Sequence, residues 1–184
     1  MNYISLDLNT TKIFVFINGS FANNKDLSSQ LGYKIIIVNK TTRDEEFDIK
    51  GNLLHYSSTK SKRVTRSILA SEIYSIVGGV DVTIIISTII IIITDQLGYQ
   101  KPLIVIYTDL YSLYKYLVKL GTTKKKRLMI DIIALRQSYE RQELQEIRWI
   151  NSQDNPTDII TKSNYNKALQ KFIDTNCLQI CVKG

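Results

Sequence analysis

Short apolar runs separated by polar turns open the chain. Lys12–Ile17 is apolar and rich in β-forming residues, and an Asn-Gly pair that favours a turn follows it. Two further runs of this kind are Leu31–Val38 and Asn52–Ser57, with a polar turn between them. Three strands with short connections predict an antiparallel meander, preceded by a lead-in over residues 1–11.

The spacing of apolar residues changes after the third run. Between positions 68 and 80 they recur every three or four residues, which predicts an amphipathic helix that begins near Thr65 or Ser67. Gly78 and Gly79 interrupt the pattern, so we expect a break or bend there. The Ile-rich run Val82–Ile93 then continues the helix. Its ~12 residues fall short of the ~20 that span a bilayer, so the length favours a buried core helix.

Strands and helices alternate in the rest of the chain. The pattern predicts a strand at Leu103–Tyr107, helices at Tyr111–Leu120 and Lys124–Glu143, a strand at Glu146–Ile150, and a final helix with Asn155 as its N-cap. The order β-β-β-α-β-α-α-β-α predicts an α/β domain over residues 12–184, with a five-stranded mixed sheet flanked by helices. The first and fourth strands are expected to be neighbours in the middle of this sheet.

Composition and charge narrow the class of protein only slightly. The chain has 184 residues, 44% hydrophobic and 22% charged, which is the mix of an ordinary globular domain. Its formal net charge of +7 agrees with a polyanionic partner such as nucleic acid, but many basic proteins have no such partner. The two cysteines, Cys177 and Cys181, would share one face of a helix and are expected to be reduced.

Three acidic residues lie in unusual settings. Asp109 follows a strand that the sequence predicts to be buried. Glu72 falls on the apolar face of the predicted helix, where an unpaired carboxylate is costly. Asp158 lies in the first turn of the last helix, where an acid is favoured by the helix dipole.

Each acid also has a purely structural explanation. Asp109 could end a strand, Asp158 could cap a helix, and Glu72 could pair with Arg66 or Arg136. Taken together, however, the three fit a cluster of acids that holds two Mg²⁺ ions. Mg²⁺ prefers carboxylate oxygens, and two such ions stabilise the attacking water and the leaving oxygen in phosphodiester hydrolysis.

Longer stretches of the sequence resemble one family. They are FVFINGSFANNKDLSSQLGY, HYSSTKSKRVTRSILASEIYS, IYTDLYSLY, KKKRLMIDIIALRQSYERQELQEIRWI and NPTDIITK. In their residues and in their order along the chain, these stretches are similar to the ribonuclease H domain of copia-type retrotransposon polyproteins. The resemblance implies a ribonuclease H-like fold and hydrolysis of RNA in RNA·DNA hybrids with two Mg²⁺ ions. It also implies reverse transcriptase as a polyprotein partner, no membrane partner, and a cytoplasmic virus-like particle or the nucleus as the location.

The family's carboxylates carry over to this sequence with one exception. The acid of ASEIY is Glu72, that of YTD is Asp109 and that of NPTD is Asp158, and these three are the expected metal ligands. The family's first acid stands in a pattern like TDASF, where this sequence reads INGSF and therefore has Asn18. An asparagine carbonyl can ligate a metal but carries no charge, so we expect weak or no cleavage.

Basic and hydroxyl side chains precede the predicted helix. Those expected to contact the phosphates and 2′-hydroxyls of a hybrid are Ser57, Ser58, Thr59, Lys60, Lys62, Arg63 and Arg66. A second basic cluster, Lys124–Arg127, opens a later helix. A solvated charged face and a capped turn explain the same residues without any ligand.

Three other functions stay open on the sequence alone. A non-catalytic binding or scaffold module would keep the fold and the basic surface, and Asn18 favours it. Another nuclease or an integrase could share the fold. A small membrane-associated protein is supported only by the Ile-rich run.

Overall fold

Six strands and five helices make up the part of the chain that this computed structural model describes, residues 3–41, 46–119, 126–162 and 167–183. The strands are β1 (Thr11–Ser20), β2 (Gln30–Thr41), β3 (Glu46–Lys60), β4 (Leu103–Thr108), β5 (Glu146–Trp149) and β6 (Cys177–Cys181). The helices are α1 (Ile68–Gln96), α2 (Tyr111–Val118), α3 (Lys126–Glu140), α4 (Asp158–Thr161) and α5 (Lys167–Thr175), and a 3-10 turn covers Ser152–Asp154. The strands lie in the order β5-β4-β1-β2-β3-β6.

The predicted meander and the central pair of strands are confirmed. β1, β2 and β3 pair antiparallel in sequence order, and β4 runs parallel to β1. β5 pairs parallel with β4 at one edge of the sheet. The α/β class is therefore as predicted, with one strand more than expected.

The helices of the second half differ from prediction mainly at their ends. α2 and α3 are the helices expected at Tyr111–Leu120 and Lys124–Glu143. Leu120, Lys124 and Lys125 lie outside the described residues. The single final helix is replaced by the short α4 and the longer α5.

The two cysteines were expected to lie on a helix, but they lie in the sixth strand. β6 pairs antiparallel with β3. Leu178 and Ile180 are buried while Gln179 is exposed, which is the period of two typical of a strand. The spacing of four between Cys177 and Cys181 places both on one side of a strand as well as of a helix, so it could not distinguish the two. Both cysteines are free and half-buried.

Helices cover both faces of the sheet, because side chains of β1 alternate between two apolar cores. Ile13, Val15 and Ile17 pack in the core that contains residues of α1, α2 and α3. Phe14 and Phe16 pack in the second core, which contains residues of α5 and β6. All five side chains are fully buried. A strand buried on both faces explains the unbroken apolar run in the sequence.

The bend expected at Gly78 and Gly79 does not occur, because α1 is one continuous helix of 29 residues. A β-carbon added at Gly79 would lie 2.9 Å from Ile17 Cδ1 and 3.2 Å from Tyr33 Cβ. At Gly78 the nearest atom would be Tyr33 Cε1, at 3.8 Å. Gly79 thus allows α1 to approach β1 and β2 closely, whereas a β-carbon at Gly78 would be in no close contact.

The Ile-rich run forms the second half of α1 and is buried on one side only, which corrects the expected core helix. Its exposed side chains include Ile85, Ile89, Ile92 and Ile93, each more than half exposed. A helix of 29 residues is ~44 Å long, whereas the 10 residues of β1 span ~33 Å, so α1 is longer than the central strand on which it packs. Among the described helices, α1 alone has the length and composition to cross a membrane, a test that core helices also pass.

Alanine substitutions in the glycine pair test the close approach of α1 to the sheet. Gly78→Ala is expected to raise the free energy of unfolding by about 1 kcal/mol, because alanine favours the helix more than glycine does. Gly79→Ala is expected to be less stable than Gly78→Ala by about 1–3 kcal/mol, because its methyl group crowds Ile17 and Tyr33. Urea unfolding followed by circular dichroism measures both, and equal stabilities would contradict the close approach.

Candidate active site

The ends of β1 and β4 bring Asn18 and Asp109 to the same edge of the sheet. β1 extends three residues beyond the predicted strand, so Asn18 lies within it and pairs with Gly32 of β2. Asp109 directly follows β4, and the parallel register sets Ile17 opposite Thr108. Asn18 and Asp109 are therefore neighbours, the first buried and the second half-buried.

Glu72 reaches this edge because α1 packs on the backbone of β1. Its Oε1 accepts a hydrogen bond of 2.7 Å from the Gly19 N–H. The Ser71 hydroxyl donates to the Gly19 carbonyl oxygen. The Ser75 hydroxyl donates to the carbonyl oxygen of Asn18. A β-carbon at Gly19 would lie 2.5 Å from the carbonyl carbon of Ser71, so this contact requires glycine.

Side-chain hydrogen bonds fix the segment before α4 to the other face of the same strand end. Asn155 Nδ2 donates to the Ile17 carbonyl oxygen at 2.7 Å. Thr157 Oγ1 donates to the Phe16 carbonyl oxygen at 3.0 Å. These bonds place Asp158, the first residue of α4, beside Asn18.

The N-cap predicted at Asn155 is found at Thr157 instead. Asn155 Oδ1 accepts from the Thr157 N–H at 3.0 Å, so its side chain stabilises the turn that precedes the helix. Lys34, a buried residue of β2, donates to the Pro156 carbonyl oxygen at 2.5 Å and holds the same turn. Burial lowers the pKa of Lys34 to about 7.

The side-chain amide of Asn18 acts as a donor towards the last acid. Its Nδ2 donates to Asp158 Oδ1 at 2.8 Å and to Thr161 Oγ1 at 2.6 Å. The same Asp158 oxygen lies 2.5 Å from Lys162 Nζ. Asp158 is thus engaged by a neutral amide and by a cation, both from within the chain.

An open cleft of about 390 Å³ joins these groups. Its lining includes Asn18, Glu72, Asp109, Ser152 and Lys162. The structure therefore brings together the positions that the sequence singled out, with Asp158 at their border. Sequence reasoning missed Lys162, although its place four residues after Asp158 was a signal for an ion pair on a helix.

Burial dominates the electrostatics of the cleft. It raises the pKa of Glu72 to about 8, and the nearby Asp109 charge adds to this effect. Glu72 Oε2 has no hydrogen-bond partner in the part of the chain that the structure describes. Burial also raises the pKa of Asp109, against the opposing effects of a hydrogen bond from Ser152 and the charge of Lys162. The partner of Glu72 is the Gly19 N–H rather than an arginine side chain.

Whether the site suits a pair of metal ions depends on the side-chain oxygen atoms that could ligate them. Glu72 Oε2 is a bare buried oxygen of the kind that a cation satisfies. Within the described ranges, however, no three Asp, Glu, His or Cys side chains converge closely enough to hold an ion. Asp158 is turned to Asn18 and Lys162, and Asn18 contributes no charge. The residues as arranged therefore do not fit the two Mg²⁺ ions that the resemblance implies.

The residues expected to bind nucleic acid lie at the end of β3 and in the loop before α1. Thr59, Lys60, Lys62, Arg63 and Arg66 are exposed, and Ser57 and Ser58 are half-buried. Lys60 pairs with Asp26 at 2.7 Å, and the guanidinium of Arg63 lies 5.2 Å from the centre of the Tyr74 ring. Ser58 donates its hydroxyl to the Ile160 carbonyl oxygen, so it joins β3 to α4.

Ribonucleases H1 are among the solved structures that this fold matches. LC11 ribonuclease H1, isolated from compost by a metagenomic approach, aligns with a TM-score of 0.55 and 18% identity, over 86% of this chain and 98% of that one. The same enzyme in complex with an RNA/DNA hybrid gives a TM-score of 0.54 and 17% identity, over 86% and 99%. Ribonuclease H1 from the halophilic archaeon Halobacterium salinarum gives 0.54 and 12%, over 89% and 98%.

These likenesses establish the fold: the protein is an α/β domain with the ribonuclease H fold. No protein-family model and no curated protein sequence matches the chain.

The raised pKa of Glu72 predicts that stability falls as pH rises. Between the ordinary value of 4.5 and about 8, the folded protein holds a proton that the unfolded chain releases, so the free energy of unfolding decreases through this window. Glu72→Gln cannot ionise and should flatten this dependence, with a gain on the order of 2 kcal/mol over the natural chain near pH ~9. Urea unfolding in EDTA at several pH values measures it. Parallel pH profiles for the two proteins would show that Glu72 is not the titrating group.

Proposed function

We propose that this chain is the ribonuclease H domain of a copia-type retrotransposon polyprotein, with hybrid cleavage impaired and hybrid binding retained. The observation that carries the proposal is the position of Asn18. It lies beside Asp109 and donates to Asp158, at the strand end where the resembling family has its first acid. The shared sequence stretches support the origin. Reverse transcriptase would be a neighbouring domain, and the virus-like particle or the nucleus the location.

The chemistry of Asn18 explains why cleavage should be impaired. In the parent family, two Mg²⁺ ions supply the charge that stabilises the scissile phosphate. Asn18 brings no negative charge to the site, and its amide already donates to the Asp158 oxygen that would face a metal ion. A loss of a few kcal/mol of transition-state stabilisation lowers a rate by on the order of 10³-fold.

A specific set of cations supports retained binding. Lys62 and Arg66 are exposed in the loop before α1, and Arg66 lines a surface pocket with Ser67 and Arg127. Contacts of this kind neutralise backbone phosphates without reading sequence. Lys60 is less available, because Asp26 already pairs with it.

The alternative is a module with no remaining nuclease role that binds nucleic acid or serves as a scaffold. The engagement of Asp158 by Asn18 and Lys162 favours it, because these contacts occupy one of the three acids with groups of the chain itself. A decayed or a domesticated element could supply such a module. A nucleic-acid-binding module shares the prediction of hybrid binding, whereas a scaffold does not. The proposed nuclease and either form of the module differ in whether one substitution restores cleavage.

Cleavage of a labelled RNA·DNA hybrid in Mg²⁺ or Mn²⁺ tests the role of Asn18. The natural chain is compared with Asn18→Asp and with the double variant Asn18→Asp/Asp109→Asn. We expect Asn18→Asp to cut at least ~10³-fold faster than the natural chain, because it restores the missing charge. The double variant should be as slow as the natural chain, since it lacks the Asp109 carboxylate.

The other outcomes reject specific parts of the proposal. If the natural chain cuts as fast as Asn18→Asp, Asn18 is not a defect. If no variant cuts although all are folded by circular dichroism, the non-catalytic module takes the place of the impaired nuclease.

Binding of a non-cleavable hybrid tests the basic loop. Lys62→Ala/Arg66→Ala should weaken binding and reduce the slope of log Kd against log salt by about 1 for each phosphate that the variant no longer neutralises. Lys171→Ala, an exposed lysine on α5 across the sheet from α1, is the control and should change neither by more than ~2-fold. Fluorescence anisotropy over a range of salt concentrations measures both. An equal weakening in the control would mean that net charge, rather than this loop, drives binding.

A further inference from the structure

Lys162 is the one cation that lines the cleft among the described residues. Its Nζ lies 2.5 Å from Asp158 Oδ1, and the same oxygen accepts a hydrogen bond of 2.8 Å from Asn18 Nδ2. Lys162 follows α4 immediately, and hydrogen bonds to β1 fix the segment before that helix. The ammonium group is therefore held at the acid site by the fold.

The positive charge of Lys162 acts on all three acids. It contacts Asp158 directly and lowers the pKa of both Glu72 and Asp109, against the effect of burial. Glu72 Oε2 is fully buried and has no hydrogen-bond partner among the described residues, so a bare oxygen lies in the same cluster. An ionised carboxylate in such a place is costly, and a nearby cation offsets the cost.

A divalent ion and this ammonium group compete for the same place. Asp158 Oδ1 already accepts from two donors, so a metal that binds this oxygen must displace Lys162. A displaced ammonium close to a dication is repelled by it.

We propose that Lys162 is a tethered cation that takes the place of a divalent metal ion and holds the acid cluster in a metal-independent state. The proposal rests on the arrangement of the acid site and does not depend on hybrid binding or on a retrotransposon origin. It assigns to Lys162 a positioning and inhibitory role, since a metal ion bound to Asp158 Oδ1 would compete with its positive charge.

An ordinary surface ion pair is the competing explanation. The Lys162 side chain is 40% exposed, and exposed pairs at this helical spacing contribute little to stability. A second Lys–Asp pair provides the matched comparison, because Lys60 Nζ lies 2.7 Å from Asp26 Oδ2 and both side chains are more than half exposed. Removal of Lys60 also deletes an ion pair, but one outside the cleft.

The experiment measures Mn²⁺ binding and thermal unfolding, without nucleic acid. The natural chain, Lys162→Met, Lys162→Arg and Lys60→Met are titrated with Mn²⁺ by calorimetry and melted in EDTA and in Mn²⁺. We expect Lys162→Met to bind Mn²⁺ at least ~10-fold more tightly than the natural chain, because the competing charge is gone. Its Tm should be lowered in EDTA and raised by Mn²⁺, whereas the natural chain and Lys60→Met should melt alike in both. Lys162→Arg keeps the charge and should bind as weakly as the natural chain.

Several results would overturn the proposal. These are Mn²⁺ binding by the natural chain as tight as that of Lys162→Met, a folded Lys162→Met with no response to Mn²⁺, or tight binding by Lys162→Arg. If Lys162→Met does not fold in EDTA, its refolding on addition of Mn²⁺ supports the proposal, and failure to refold contradicts it. The cleavage and hybrid-binding assays can fail independently of this experiment.

Discussion

Backbone groups at the end of β1 hold the candidate site together. Four consecutive carbonyl oxygens, of Phe16, Ile17, Asn18 and Gly19, each accept a hydrogen bond from a side chain of α1 or of the segment before α4. The Gly19 N–H in turn donates to Glu72. Elements that are 53 and 138 residues away from β1 in sequence thus meet at one point. Since α1 approaches so closely only where a glycine lies, the site depends on Gly19 as much as on its acids.

The sequence predicted the parts of the fold that depend on local pattern. The apolar run at Leu103–Tyr107 and the alternation of strands with helices were enough to place Asp109 beside β1. The resemblance to a known family then placed Glu72, Asp109 and Asp158 at one edge. What could not be predicted was the partner of each group, because the hydrogen bonds of Asn18 reach residues 140 and 143 positions away. For the same reason Lys162 stayed without a role until the structure placed it in the cleft.

Local pattern failed where one spacing fits two structures. The four-residue interval between Cys177 and Cys181 suits a helix and a strand alike, and only the alternating burial of Leu178 and Ile180 decides for β6. The glycine pair in α1 misled in another way, because its low helix propensity predicts a bend that tertiary packing overrides. Gly79 is needed for contact with the sheet, and this need is invisible in a sequence read one helix at a time. The Ile-rich run was misjudged because hydrophobicity does not show which sides of a helix meet a partner.

Under the proposed function, Asn18 removes a charge that catalysis would need, and it gains a hydrogen bond to Asp158. An aspartate in its place would set a carboxylate oxygen about where Nδ2 now stands, 2.8 Å from Asp158 Oδ1. Two carboxylates at that distance repel each other unless a cation or a shared proton lies between them. The amide replaces this repulsion with a hydrogen bond, and Lys162 supplies positive charge to the same oxygen. Catalytic sites are commonly destabilising, so a change that removes activity can stabilise the fold. Asp158 is thus held by two groups of the chain, the neutral amide of Asn18 and the ammonium group of Lys162.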